Sequence, residues 1–121
     1  MALRDWHEVG AWVVMGANAA VGVWALAAHR FTVLRHAAGW WATGVAQVLI
    51  AVQVALGVIM VNQQQRDLPG FHAFYGFVSI AAVGIVYSYR SQLRGKVYLL
   101  YGGAGLFLAG MALRAIFLPP N

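Results

Sequence analysis

Four histidines and no cysteine set the chemistry open to this 121-residue chain. Two of them matter most. His7 stands at the start of the first long apolar stretch and His72 at the start of the third. If successive stretches are antiparallel helices, the first and third run the same way, and both imidazoles lie at one end of the bundle at similar depth. Helical spacing puts Asn18 beneath His7 through positions 7, 11, 14 and 18. It puts Gly76 and Ser79 beneath His72, with Tyr75 alongside. Two neutral imidazoles facing each other across a bundle suit axial ligation of haem iron, the cofactor then being haem b. The plainer role ranks first at this point: histidine is comfortable in a lipid headgroup region, and tightly packed helices leave no room for haem; a quinone or lipid contact ranks last. Arg114, near the end of the last stretch, either pairs with Asp5, Glu8, Asp67 or a lipid phosphate, or holds an acidic group of a bound cofactor such as a haem propionate. His7, His72 and Arg114 are therefore the candidate cofactor-binding residues. No catalytic residue and no site for a bare metal ion is expected. His29 and His36, beside Arg30 and Arg35, read as part of a lipid-facing basic surface. The amides of Asn18, Gln47 and Gln53 read as interhelical hydrogen-bonding groups.

The elements that must position these residues follow from the charges. Val9–Ala28, His36–Gln65, Leu68–Tyr89 and Val97–Leu113 contain no Asp, Glu, Lys or Arg. A membrane span takes about 20 mostly apolar residues. Helices are expected near 8–28, 40–62, 71–89 and 97–117, forming a single domain over 1–121. The linkers agree: His29–Gly39 is basic, Asn62–Gly70 is polar and ends in Pro-Gly, and Arg90–Lys96 is a short basic turn. Short linkers make neighbours antiparallel, giving an all-α integral membrane four-helix bundle running up-down-up-down. Arg30, Arg35, Arg90, Arg94 and Lys96 fall on one side without an acid. Arg4, Arg66 and Arg114 balance Asp5, Glu8 and Asp67 on the other, so the whole formal charge of +5 lies on one side. That side is expected to be cytoplasmic, with both termini outside. The first stretch reads as a retained helix rather than a cleaved signal peptide, since Asp5 and Glu8 spoil a basic start and the apolar run is long.

Composition narrows the function. Hydrophobic residues make up 62% and charged residues 9%, against roughly 45–50% and roughly 25% in ordinary globular proteins. A soluble enzyme and a disordered segment are both excluded. Without cysteine there is no disulfide, iron–sulfur cluster or thioether-linked haem. The basic excess belongs to topology and anionic lipid, so no nucleic-acid partner is expected. The absence of acids well inside the stretches argues against proton pumps, cation-coupled transporters and intramembrane metalloproteases. Small residues predict helix seams at Gly16 and Ala20, at Gly44, Ala51 and Ala55, at Gly76 and Gly84, and at Gly102, Gly103, Gly105 and Gly110. Ala19-Ala20-Val21-Gly22 recurs as Ala81-Ala82-Val83-Gly84, a faint internal repeat. Trp6, Trp40, Trp41, Tyr89, Tyr98 and Tyr101 read as interfacial aromatic belts.

The run Gln53-Val54-Ala55-Leu56-Gly57-Val58-Ile59-Met60-Val61 resembles the Gln…Leu-Gly…Val stretch that closes one helix of a half-bundle in the haem A synthase family. There too a His opens the next odd helix across a short outer loop, the place of His72. Another His marks the outer start of the preceding odd helix, the place of His7. The resemblance implies that these two residues are haem ligands. The chain departs from the family pattern in three ways. It reads Trp6-His7-Glu8-Val9-Gly10 rather than Glu-x-x-His-Arg, it has one four-helix unit rather than two, and it lacks the outer cysteine pair. The resemblance therefore implies a single unit holding one b-type haem and does not carry over oxidation of a haem methyl group.

Two functions are expected from these features. The first is a non-catalytic accessory subunit of a larger membrane complex, of the respiratory kind among others. Its short loops and small-residue faces are suited to contacts with lipid, with other subunits or with further copies of itself. The second is a small b-type haem protein for electron transfer or haem handling. A channel or small transporter ranks below both, because no charged ring or hydrophilic stripe is visible. Usage of Ala, Gly, Val and Arg points to a bacterial cytoplasmic (inner) membrane.

Overall fold

A computed structural model of the chain describes residues 2–64 and 70–117. They form four helices, α1 (Leu3–Arg30), α2 (Ala37–Gln64), α3 (Gly70–Tyr89) and α4 (Val97–Ile116), with 3-10 turns at Thr32–Leu34 and Arg94–Lys96 and no strand among the described residues. All four helices are long and apolar enough to cross a membrane. Asp67 and the terminal Pro119-Pro120-Asn121 lie outside the described residues.

α1 starts at Leu3 rather than near residue 8, because the first turn is capped locally. The Asp5 carboxylate accepts the Ala2 N–H at 3.1 Å, and an acid in the first turn suits the positive end of the helix dipole. At the other end Arg35 folds back from the linker. Its Nε donates to the Ala28 carbonyl at 2.8 Å and its Nη2 to the His29 carbonyl at 3.0 Å. A cation thus satisfies carbonyls that the helix end leaves unpaired. The Trp24 indole N–H donates to the Leu34 carbonyl at 3.0 Å, and the His36 Nδ1 accepts the Ala38 N–H at 3.1 Å. The first linker is therefore a set of helix caps, and Arg35 and His36 serve the fold rather than a loose basic surface.

The closest helix approach joins α1 to α4. A Cβ built on Gly105 would stand 2.7 Å from the Asn18 carbonyl oxygen and from the Gly22 Cα. One on Gly22 would stand 2.9 Å from the Leu106 backbone nitrogen, and one on Gly102 would be 3.0 Å from the Leu26 nitrogen. Here the two backbones touch, as small residues allow. Around Gly16, Gly44, Gly84, Gly103 and Gly110, in contrast, space is open. The seam expected at Gly16 and Ala20 is made further along α1, at Gly22. Gly84, the counterpart of Gly22 in the faint repeat, does not make one.

α2 joins α1 through Asn18, which is 1% exposed. Its amide donates to the Val14 carbonyl at 2.9 Å and across the helices to the Ala46 carbonyl at 3.3 Å. Gln47 is half-buried and has no such partner among the described residues. α3 packs mainly on α4, and α2 and α3 touch sparsely. Two apolar clusters fill the bundle. Val14, Ile50 and Leu108 form one, and Ala25, Val86, Tyr101 and Ala104 the other. Tyr101 is thus packed into the core rather than exposed to the surroundings as a belt residue is. Trp40 packs on it edge-on at 5.1 Å between centroids and on Tyr98 at 5.0 Å. Trp6, Trp41 and Tyr89 are exposed, as belt residues are.

The seam makes a sharp prediction. Gly105→Ala should destabilise the purified protein by about 1–3 kcal/mol, the cost of overpacking against backbone. Gly103→Ala, two residues away in open space, should be neutral or stabilising by up to about 1 kcal/mol. Thermal unfolding of the two variants in the same detergent checks the contrast.

Candidate functional site

His7 lies in the second turn of α1 and His72 in the first turn of α3, both half-buried. Their ring centroids are 6.0 Å apart and the ring planes are inclined by 57°. Neither helix brings this about alone. α1 and α3 each pack on α4, so the imidazole pair is held by a shared neighbour.

α2 holds the His7 side. The Gln53 amide nitrogen donates to the His7 carbonyl oxygen at 2.6 Å and lies 3.1 Å from His7 Nδ1. Gln53 comes up against Gly10, where any Cβ would meet its Oε1. One turn on, Gly57 faces the ring itself, and a Cβ there would stand 3.2 Å from His7 Cε1. Gln53 and Gly57, four residues apart on one helical face, thus cradle His7 from backbone to ring. Gln53 reads from sequence only as a generic bonding amide. The signal for its role is that Gln-x-x-x-Gly spacing, which puts a donor and a space side by side.

Beneath the histidines lies a cavity of about 640 Å³ lined by all four helices. Its walls are largely small or apolar, with Gly57, Gly76, Ala73, Ala112 and Leu108 among them. The volume is in the range of sites that hold drug-sized or cofactor-sized molecules. The polar groups are few and mostly engaged. Ser79 Oγ donates to the Tyr75 carbonyl at 2.8 Å. Glu8 pairs with Arg4 at 3.3 Å, an exposed bridge worth little. The Tyr75 hydroxyl accepts from Arg114 Nε at 3.3 Å.

All three candidate residues therefore meet at one end of the bundle. His7 and His72 face the cavity, and Arg114, exposed on α4, reaches its edge through Tyr75. Among the described residues Arg114 pairs with no carboxylate; Asp67, one of its expected partners, is outside them. Asn18, placed beneath His7 by spacing, turns instead to α2. His29 is not part of the site, and no group of three or more His, Asp or Glu residues able to hold a metal ion occurs among the described residues.

Two glycines of the cavity wall should respond oppositely to the same change. Gly57→Leu drives a side chain into the His7 ring and should cost about 1–3 kcal/mol. Gly76→Leu extends into free volume, where a Cβ would meet only Val54 Cγ2 at an ordinary 3.9 Å. It should be neutral or stabilising by up to about 2 kcal/mol. Thermal unfolding of the two variants tests this.

No protein-family model, curated protein or solved structure matches this chain, and the site rests on its geometry.

Proposed function

We propose that the chain is a small integral membrane protein that binds one haem b between His7 and His72 and serves electron transfer or haem handling. The observation that carries this reading is the pair of imidazoles 6.0 Å apart over an apolar cavity of about 640 Å³. Two metal–imidazole bonds of about 2.0–2.1 Å, extended to the ring centres, give a centroid separation of about 6 Å. A bare ion needs about four protein ligands, and among the described residues no group of even three is available. Two histidines suffice only for a metal that brings its own equatorial ligands, which is what a haem does.

The residues divide the work. His7 and His72 would hold the iron through their ring nitrogens. Gln53 fixes the start of α1 by donating its amide N–H to the His7 carbonyl oxygen. The largely apolar walls, with Gly57, Gly76, Ala73 and Ala112 among them, leave room for a flat group. Arg114, steadied by Tyr75, offers a cation at the cavity edge for a propionate. When bound, the iron supplies one-electron redox chemistry. The resemblance to a haem A synthase half-bundle supports the same ligands. The bundle is read as up-down-up-down in a bacterial cytoplasmic membrane with both termini outside, which puts the histidine end on the outer face.

A second reading, an accessory subunit of a larger membrane complex, is supported by the open glycine faces around Gly16, Gly44 and Gly84, which other subunits or further copies can pack against. It is compatible with a bound haem.

The test is a reduced-minus-oxidised absorption spectrum of the full chain purified in mild detergent, supplied with haemin where needed. The expected result is a low-spin b-type spectrum at about one haem per chain, lost in His7→Ala and in His72→Ala. Arg114→Leu should keep the band positions and weaken haem retention roughly tenfold, the loss of one charge-assisted contact. A helical chain that stays colourless through a haemin titration sinks the haem reading. Co-migration of a colourless chain with other subunits on a native gel leaves the accessory reading standing.

A further inference from the structure

The end of the bundle away from the histidines carries a second cavity, of about 500 Å³, lined by Trp40, Tyr87, Arg90, Ser91, Arg94, Val97 and Tyr101. Its charge is one-sided. Arg30, Arg35, Arg90, Arg94 and Lys96 belong to the two linkers at this end, and all three acids of the chain lie elsewhere in the sequence. Arg35 is already engaged, bonded to the α1 carbonyls and stacked over Tyr98 at 4.9 Å. Arg90 and Arg94 are the cations that face the cavity. Arg90 is held ready: its Nη2 donates to the Tyr87 hydroxyl at 3.1 Å while the guanidinium lies 4.2 Å over the same ring.

Two further features suit an anion. α4 starts here with no acid in its first turn, so no carboxylate offsets the positive end of its dipole. Tyr101 is 9% exposed and makes no hydrogen bond among the described residues. No fully buried polar atom there is left without a partner, so its hydroxyl opens into the cavity. The floor beneath is aromatic, with Trp40 against Tyr98 and Tyr101. A guanidinium pair above an apolar, ring-lined floor matches a molecule with a phosphate at one end and hydrocarbon at the other.

We propose that this pocket binds a phosphate group presented by an anionic phospholipid, with Arg90 and Arg94 on the phosphate and Trp40 and Tyr101 beside the glycerol and upper acyl chain. The proposal rests on the reading of the chain as membrane-spanning and is independent of haem.

Native mass spectrometry of the full chain released from nanodiscs of phosphatidylglycerol or phosphatidylcholine tests it. One phosphatidylglycerol should stay bound, and phosphatidylcholine should not. Arg90→Ala/Arg94→Ala should cut the retained fraction roughly tenfold or more. Arg30→Ala/Lys96→Ala removes the same charge from the same end outside the pocket and should retain the lipid. Equal loss in both double variants, or equal retention of the two lipids, overturns the pocket. Displacement by millimolar inorganic phosphate assigns the anion site to a soluble ligand and overturns the lipid. If the double alanine variant lacks the native circular dichroism, Arg90→Lys/Arg94→Lys is read instead. It keeps the charge but loses the planar fork, and retention should fall several-fold; unchanged retention overturns the proposal. A chain that never enters nanodiscs overturns the membrane reading itself.

Discussion

Everything in this bundle is referred to the contact of Gly22 with Gly102 and Gly105. Where two helix backbones touch, neither can shift by even a methyl group without a clash, and α4 becomes the fixed spine of the molecule. α1 is locked to it directly and α3 packs on it from another side. α2 is tied to α1 by the Asn18 amide and by Gln53. The sparse meeting of α2 and α3 follows from this arrangement, since each is held by a different partner. The histidine cavity draws its walls from both. Packing energy is concentrated in one seam, and the volume that a tighter bundle would have filled is kept for the site.

The four apolar stretches were plain in the sequence because charge is so rare that its absence marks each helix. Helix ends were less legible. α1 reaches back to Leu3 because of a carboxylate cap at Asp5, and α2 begins at Ala37 because of a cap at His36, and both depend on local geometry that hydropathy does not see. Among the glycines, composition could name the small residues but not sort them. Gly16 and Gly22 look alike in sequence, and only the register between α1 and α4 decides which is pressed against backbone. Tyr101 illustrates the same limit. An aromatic near a helix end suits an interface or a core, and here the packing of Trp40 over it settled the matter.

The pairing of His7 with His72 was legible in the sequence and its support was not. His7 and His72 were recoverable because each opens a long apolar stretch, and the starts of α1 and α3 come together. Their separation of 6.0 Å depends on helix tilt, which sequence does not encode simply. Arg114 and Tyr75, far apart in the chain, are joined only by the α3–α4 packing. Gln53 was visible as an amide, yet its bond to the backbone of His7 requires knowing that Gly10 leaves it space. The two ends of the bundle are chemically distinct as a result: one gathers imidazoles over small residues, the other guanidinium groups over aromatic rings.

The α1–α4 seam also bears on the order in which the bundle can be assembled. It joins the first of the four helices to the last, so the most extensive interface is the one with the longest separation along the chain, and loop closure of that length precedes any reward from it. As helices leave the ribosome one after another, α1 and α2 can pair through Asn18, but α3 arrives without its main neighbour. The groove on α1 that Gly22 leaves stays open until α4 is delivered. The imidazole pair is consequently held in place only on a chain whose fourth helix has already docked.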